Sequence, residues 1–153
     1  MNRFADALYS IAVTLWVGGL WAIGYIAAPT LFAELSDRAV AGQLAGAMFT
    51  WIAWVGFACG GYALIFLAAR HGWRVLQKAA FWLVLAMLLL AAAGHFGTQP
   101  IMARLKADAL PRQVMETVLR DRFALWHGVS SGLYLVQSLL GAALVLVSRK
   151  RER

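Results

Sequence analysis

The sequence predicts an all-α integral membrane protein, a four-helix bundle whose helices run up-down-up-down through the bilayer. The 14 basic and 7 acidic side chains all fall outside four windows, residues 7–33, 39–69, 79–103 and 123–148. About 20 consecutive apolar residues cross the hydrocarbon of a bilayer as a helix. Apolar residues make up 62% of the chain and charged residues only 14%, whereas a soluble domain carries roughly 25% charge.

Helices and closed barrels are the structures that satisfy every backbone group inside hydrocarbon. The apolar runs in this chain are long and continuous, without the short alternating segments of a transmembrane barrel. Almost nothing is left for a separate soluble domain. We therefore predict a single transmembrane domain, residues 1–153, with spans at about 4–32, 41–69, 75–99 and 123–148.

The net charge of +7 is placed at the edges of the spans, above all at residues 70–78 and 149–153. Cations in these positions set topology and meet lipid headgroups, so the predicted partner is the lipid bilayer and not nucleic acid. The N-terminus, the 70–78 loop and the tail carry eight Lys/Arg, against six in loops 34–38 and 104–122. The positive-inside rule therefore predicts that both termini are cytoplasmic.

Span one follows a lone Arg3, and its apolar run is too long for the core of a signal peptide, so we interpret it as an uncleaved span. Pro29 is expected to kink or end its helix. Span two carries small residues at helical spacing, including two GxxxG units, Gly42–Gly46 and Gly56–Gly60. Close helix packing inside the bundle is the favoured interpretation; the alternative is a face for a homo-oligomer or another membrane protein.

Trp73 is expected to anchor the short basic loop at the membrane interface, and Pro100 marks the predicted exit of span three. The sequence of loop 104–122 predicts one of two structures: an amphipathic helix that starts near Pro111 and lies on the membrane surface, or a simple extension of span four. Span four adds a further GxxxG unit, Gly128–Gly132.

Two stripes of polar and small residues are expected to face the interior of the bundle, because polar groups are costly in lipid. Their members are Ser10, Thr14, Gly18, Trp21, Tyr25 and Ala28 on span one, and His127, Ser131, Tyr134, Ser138 and Gly141 on span four. In an up-down bundle most polar residues gather in one leaflet, which predicts a polar cavity open to the non-cytoplasmic side. The predicted ligand-binding residues are Trp21, Tyr25, His95, Gln99, His127, Ser131 and Tyr134.

His95 and His127 are the only histidines within the spans. Imidazole can bind a metal ion or haem iron, so both are candidate metal ligands; alternatively, each simply hydrogen-bonds a neighbouring helix. No Asp or Glu lies within a span, and no CxxC, HExxH, nucleophile elbow or phosphate-binding loop occurs. Cys59 is interpreted as an inert thiol. No catalytic residue is therefore predicted, an enzyme is the less favoured interpretation, and no cofactor is expected.

Three stretches carry a resemblance: LWVGGLWAIGYIAAPTLFAEL from Leu15, AGQLAGAMFTWIAWVGFACG from Ala41 and RDRFALWHGVSSGLYLVQSLLG from Arg120. Together they resemble the bacterial branch of the transmembrane protein 205-like family of four-span proteins, which implies a four-helix fold in a bacterial inner membrane. Animal members are linked to tolerance of platinum drugs and to secretory trafficking. A more distant likeness is to four-span families of copper uptake and haem-pathway oxidation, which use intramembrane histidines.

The leading hypothesis is a non-enzymatic membrane protein that binds or interacts through its polar cavity, with an unknown ligand. The alternative is a small-molecule or metal transporter, or a metal-handling protein, that uses His95 and His127. A haem-bearing redox membrane enzyme is the third and least favoured hypothesis.

Overall fold

The computed structural model describes the backbone of residues 3–109 and 116–149 and the side chains of residues 3–105 and 121–148. This described part is all-helical and contains no strand. Its α-helices are α1 (Arg3–Trp21), α2 (Ala28–Glu34), α3 (Arg38–His71), α4 (Ala79–Ala92), α5 (Gln99–Ala109) and α6 (Glu116–Arg149). Two π-helical segments, Ala22–Ala27 and Ala93–Thr98, and one 3-10 segment, Gly72–Gln77, join neighbouring α-helices.

Four helical stretches are long and apolar enough to cross a membrane: Arg3–Glu34, Arg38–Gln77, Ala79–Leu105 and Asp121–Ser148. The prediction of four apolar spans is therefore confirmed in length and composition. Many large apolar side chains lie on the outside of the bundle, including Trp51 at 72% and Ile65 at 71% exposure. An apolar exterior is what lipid tails cover, and it would be unusual for a soluble monomer.

The ends of α3 have clear local causes. Asp37 caps its N-terminus, because the Asp37 carboxylate accepts hydrogen bonds from the backbone N–H groups of Ala39 at 2.8 Å and Val40 at 3.3 Å. At the other end Gly72 has a φ of +52°, a conformation that favours glycine. The chain then tightens into the 3-10 segment, and α4 begins after Lys78.

Neither proline ends its helix, although Pro29 was expected to kink or end its helix and Pro100 to mark the exit of span three. Both prolines lie two residues beyond a π-helical segment. The Ala28 N–H bonds the carbonyl of Ile23, and the Gln99 N–H bonds that of Gly94, both five residues back. A proline removes one N–H and crowds the carbonyl four residues before it, and the wider π turn accommodates this without breaking the helix.

Trp16 fills the centre of the bundle, with only 1% of its surface exposed. It lies against α3 where Gly56 and Gly60 leave room, since a Cβ on Gly56 would lie 2.5 Å from Trp16 Nε1. Gly60 is also closed off by Leu88 of α4, and Gly141 of α6 lies against Val17. Two helices, α3 and α6, therefore pack on α1 through glycine positions, and Gly60 also lets α4 approach α3 closely.

Contacts group the helix ends into two sets. At one end Asp6 pairs with Arg70, Tyr62 donates to the Ala5 carbonyl at 3.1 Å, and Tyr9 bonds Ser148. We call this set the basic end. At the other, Tyr134 donates to the Leu20 carbonyl and Thr50 to Gln99. We call this second set the π end, because both π-helical segments lie there.

The predicted amphipathic segment around Pro111 lies outside the described residues, and from Glu116 the backbone continues as one helix to Arg149. Among the predicted packing glycines, Gly46, Gly128 and Gly132 have open space where a Cβ would stand. Gly42 is buried.

Replacing Gly56 by Ala should destabilise the bundle by about 1–3 kcal/mol, because the added methyl group overlaps the rigid Trp16 indole. Gly61 is the matched control on the same helix, with nothing within 4 Å of its added Cβ. Thermal unfolding of the purified variants in one detergent measures the difference. Equal stability of Gly56→Ala and Gly61→Ala would contradict this packing.

Candidate functional site

His95 lies in the second π-helical segment and is surrounded by aromatic rings. Its ring centroid is 5.4 Å from Trp54, 6.0 Å from Phe57 and 4.8 Å from Phe96, with interplanar angles of 71–80°. Trp54 and Phe57 also contact each other edge to face at 5.6 Å. We call these four residues the aromatic box. It joins one turn of α3 to the π-helical part of span three.

The imidazole of His95 has a buried nitrogen without a hydrogen bond. His95 Nδ1 is inaccessible, yet it has no hydrogen-bond partner among the described residues, a property it shares with Trp16 Nε1 and Ser138 Oγ. An unpaired polar atom in an apolar surrounding costs free energy, so such an atom calls for a partner. Trp54 is 52% and Phe96 63% exposed, so the box opens on the outside of the bundle.

Tyr134 organises a second cluster of the π end. Its hydroxyl donates to the Leu20 carbonyl, and its ring meets Phe49 at 5.1 Å and Tyr25 at 6.3 Å, both edge to face. Gly24, in the first π-helical segment, makes this approach possible, because a Cβ at that position would overlap the Tyr134 ring. The hydrogen bond between Tyr134 of α6 and the Leu20 carbonyl of α1 thus depends on the absence of a side chain at Gly24.

Two further predicted residues bridge helices of the bundle. The Thr50 hydroxyl lies 3.1 Å from Gln99 Oε1 and 3.0 Å from the carbonyl of Gly46 on its own helix. Trp21 donates through Nε1 to the Ser138 carbonyl at 3.3 Å. Gln99 and Trp21 therefore have partners inside the bundle, unlike the buried nitrogen of His95.

His127 and Ser131 lie on an exposed face of α6. The His127 ring is stacked parallel to Phe123 of its own helix, with centroids 6.0 Å apart. The described ring contacts of His95 are with Trp54, Phe57 and Phe96, and none is with His127. The structure thus places these two histidines in different surroundings.

The expectation that both polar stripes face the interior was wrong for much of their length. Ser10, Thr14 and Gly18 are exposed, and of the stripe residues on α6 only Ser138 and Gly141 are buried. The Ser10 hydroxyl donates to the Asp6 carbonyl one turn earlier at 3.2 Å. A hydroxyl satisfied by its own helix can remain at the outer surface, so polarity alone does not select the buried face.

The described residues contain no group of three or more His, Cys, Asp or Glu side chains that could hold a metal ion. Metal sites in proteins generally need several such ligands. Each histidine alone can offer one nitrogen.

Sequence reasoning overlooked the aromatic side of the site, namely Phe49, Trp54, Phe57 and Phe96. Trp54 and Phe57 are three residues apart on one helix, which places them on a common face. That spacing was the available signal. Apolar rings are frequent in membrane spans, however, so the pattern gains meaning only once His95 is known to lie against it.

Comparison with family models matches residues 11–111, about two thirds of the chain, to a family described as a domain of unknown function, DUF4149. Comparison with curated proteins and with solved structures finds no match.

The Tyr134 hydrogen bond should contribute about 0.5–1.5 kcal/mol, the usual range for one such bond. Tyr134→Phe is expected to lose this amount because the Leu20 carbonyl loses its donor. Tyr25→Phe is the matched control, since the Tyr25 hydroxyl has no hydrogen bond among the described residues. The free energy of unfolding of both variants is measured in the same detergent. A Tyr25→Phe variant as destabilised as Tyr134→Phe would contradict the contribution assigned to the Tyr134 hydrogen bond.

Proposed function

We propose that this protein, which belongs to the DUF4149 family, is a multi-pass membrane protein that binds an amphiphilic molecule at the aromatic box. The bound molecule would have an apolar body and one hydrogen-bonding group. It would enter sideways from the lipid, because two walls of the box, Trp54 and Phe96, are exposed on the outer surface. Binding requires these rings to move aside, since His95 Nδ1 is otherwise inaccessible. The proposed role is binding or interaction without catalysis.

The buried, unpaired Nδ1 of His95 carries this proposal. Ionisable residues within membrane spans are costly and usually mark functional sites. Here the atom lies in a π-helical segment, and single π turns inside α-helices are frequent at functional sites. A hydrogen-bonding group on a bound molecule would satisfy the nitrogen, while its apolar part would pack against the rings of Trp54 and Phe57.

The membrane placement is part of the proposal. The contacts of the basic end and the π end support an up-down-up-down bundle. Asp6, near the start of the first span, pairs with Arg70, near the end of the second, and Thr50 in the first half of the second span bonds Gln99 near the end of the third. The Lys/Arg count supports a cytoplasmic location for both termini, and with it a location of the aromatic box in the non-cytoplasmic leaflet. We also propose an inner-membrane location and kinship with the bacterial transmembrane protein 205-like proteins, on the stretches that begin at Leu15, Ala41 and Arg120.

A small-molecule or metal transporter, or a metal-handling protein, that uses His95 and His127 stays a prediction, as does a haem-bearing enzyme. A shared metal site would require the exposed His127 ring to leave Phe123 and approach the aromatic box. Assembly through the open glycine face of α6, Gly128 and Gly132, is likewise a proposal; open space beside these glycines would let another helix approach closely.

Purified protein tests the binding proposal directly. The wild type, His95→Phe and His127→Phe are isolated in mild detergent, and small molecules extracted from each are compared by mass spectrometry. We expect at least one amphiphilic compound to accompany the wild type and His127→Phe at near-stoichiometric amounts. The same compound should fall about tenfold or more in His95→Phe, because loss of a hydrogen bond to a buried polar group costs about 1–3 kcal/mol.

Absorbance and metal analysis of the same three samples separate the alternatives. Stoichiometric metal that disappears in both histidine variants would support metal handling and overturn the proposal. A Soret band would support the haem enzyme. Equal amounts of every extracted compound in wild type and His95→Phe would also contradict binding at the aromatic box.

A further inference from the structure

The turn between α3 and α4 forms a cationic depression at the basic end. Its volume is about 460 Å³, and it is lined by Arg70, His71, Arg74, Gln77 and Lys78. The segment Gly72–Gln77 winds as a 3-10 helix, with three residues per turn. This tight winding gathers three permanent cations around one small space at the boundary of the membrane spans.

Two of these three cations have no acidic partner in the described part of the chain. Arg70 pairs with Asp6, and its guanidinium lies 5.6 Å from the centre of the Phe66 ring. Both contacts hold Arg70 at the wall of the depression. Arg74 and Lys78 are exposed and form no described ion pair. The depression therefore has an uncompensated positive charge that favours an anion.

An apolar groove borders the cationic depression on the same turn. It has a volume of about 330 Å³ and is lined by Ala68, Gly72, Trp73, Val75 and Leu76. Trp73 is 92% and Leu76 50% exposed. Tryptophan is favoured at the level of lipid headgroups, where its ring meets both apolar and polar surroundings. The turn thus offers an anion site and an apolar surface side by side.

We propose that this turn binds one anionic phospholipid, with its phosphate between Arg74 and Lys78 and its glycerol and upper acyl chains along Trp73 and Leu76. Basic residues next to a membrane span attract anionic lipid headgroups, and cations bind phosphate through charge-assisted hydrogen bonds. A free phosphate ion would use only the cationic depression. The adjoining apolar groove is why we assign the site to a lipid.

Lipid binding to the purified protein tests this assignment. Native mass spectrometry measures affinity for phosphatidylglycerol and for phosphatidylcholine with the same acyl chains. The wild type should prefer phosphatidylglycerol by about tenfold or more. Each basic residue near an anionic surface contributes roughly fivefold in affinity. The Arg74→Gln/Lys78→Gln variant should therefore bind phosphatidylglycerol about 20- to 30-fold more weakly.

Arg104→Gln/Arg122→Gln is the matched control, because it removes the same charge from two exposed residues away from the basic turn, one in α5 and one in α6. It should retain nearly wild-type affinity. Trp73→Ala should weaken the affinity for phosphatidylglycerol several-fold, while leaving any binding of inorganic phosphate unchanged. Equal losses in the two double variants would overturn the proposal. So would inorganic phosphate binding as tightly as the lipid, which would assign the site to a soluble anion.

The lipid site uses no residue of the aromatic box. His95→Phe should therefore leave the preference for phosphatidylglycerol unchanged, and the two proposals can fail separately. If loss of His95 abolished that preference, the lipid would be bound at the π end, and the assignment to the basic turn would be wrong.

Discussion

The backbone's need for hydrogen bonds inside hydrocarbon governs the whole structure. Lipid supplies no partner for an N–H or C=O group, so a chain that crosses it must satisfy these groups internally. Each stretch that could cross a membrane is helical, including the positions around Pro29 and Pro100. At both prolines the helix widens into a π turn instead of breaking. The constraint thus determines which irregularities the fold can contain.

These π turns in turn decide which side chains meet. A π turn contains more residues than an α turn. Side chains beyond it therefore point in directions that the regular α-helical spacing of the preceding residues would not give. Gly24 lies in the first π-helical segment and admits the ring of Tyr134, while His95 lies in the second and meets Trp54. The two clusters of the π end therefore result from the same accommodation of proline.

The four spans could be predicted from the sequence because their signal is the absence of charge over long windows, which needs no tertiary information. The buried face of α1 could not be predicted from polarity. That face follows Tyr9, Trp16 and Leu20, with Trp16 packed against Gly56 and Gly60, and it leaves Ser10 and Thr14 outside. The π turns were also missed, because Pro29 was expected to kink or end its helix and Pro100 to mark the exit of its span. A widened turn leaves no simple periodic pattern in the sequence.

His95 differs from the polar side chains that bond their own helix, and among the buried unpaired atoms Trp16 Nε1, Ser138 Oγ and His95 Nδ1 it is the one that belongs to an ionisable side chain. His71 Nδ1 lies 3.0 Å from the Leu67 carbonyl, four residues earlier on the same helix. Ser10, Thr30 and Thr98 donate in the same way to carbonyls one turn back. These groups are satisfied locally and need no ligand. His95 Nδ1 has no such bond among the described residues, although it is buried. Its neighbours are aromatic rings, which offer no strong acceptor. An external group is therefore the partner that best fits this nitrogen.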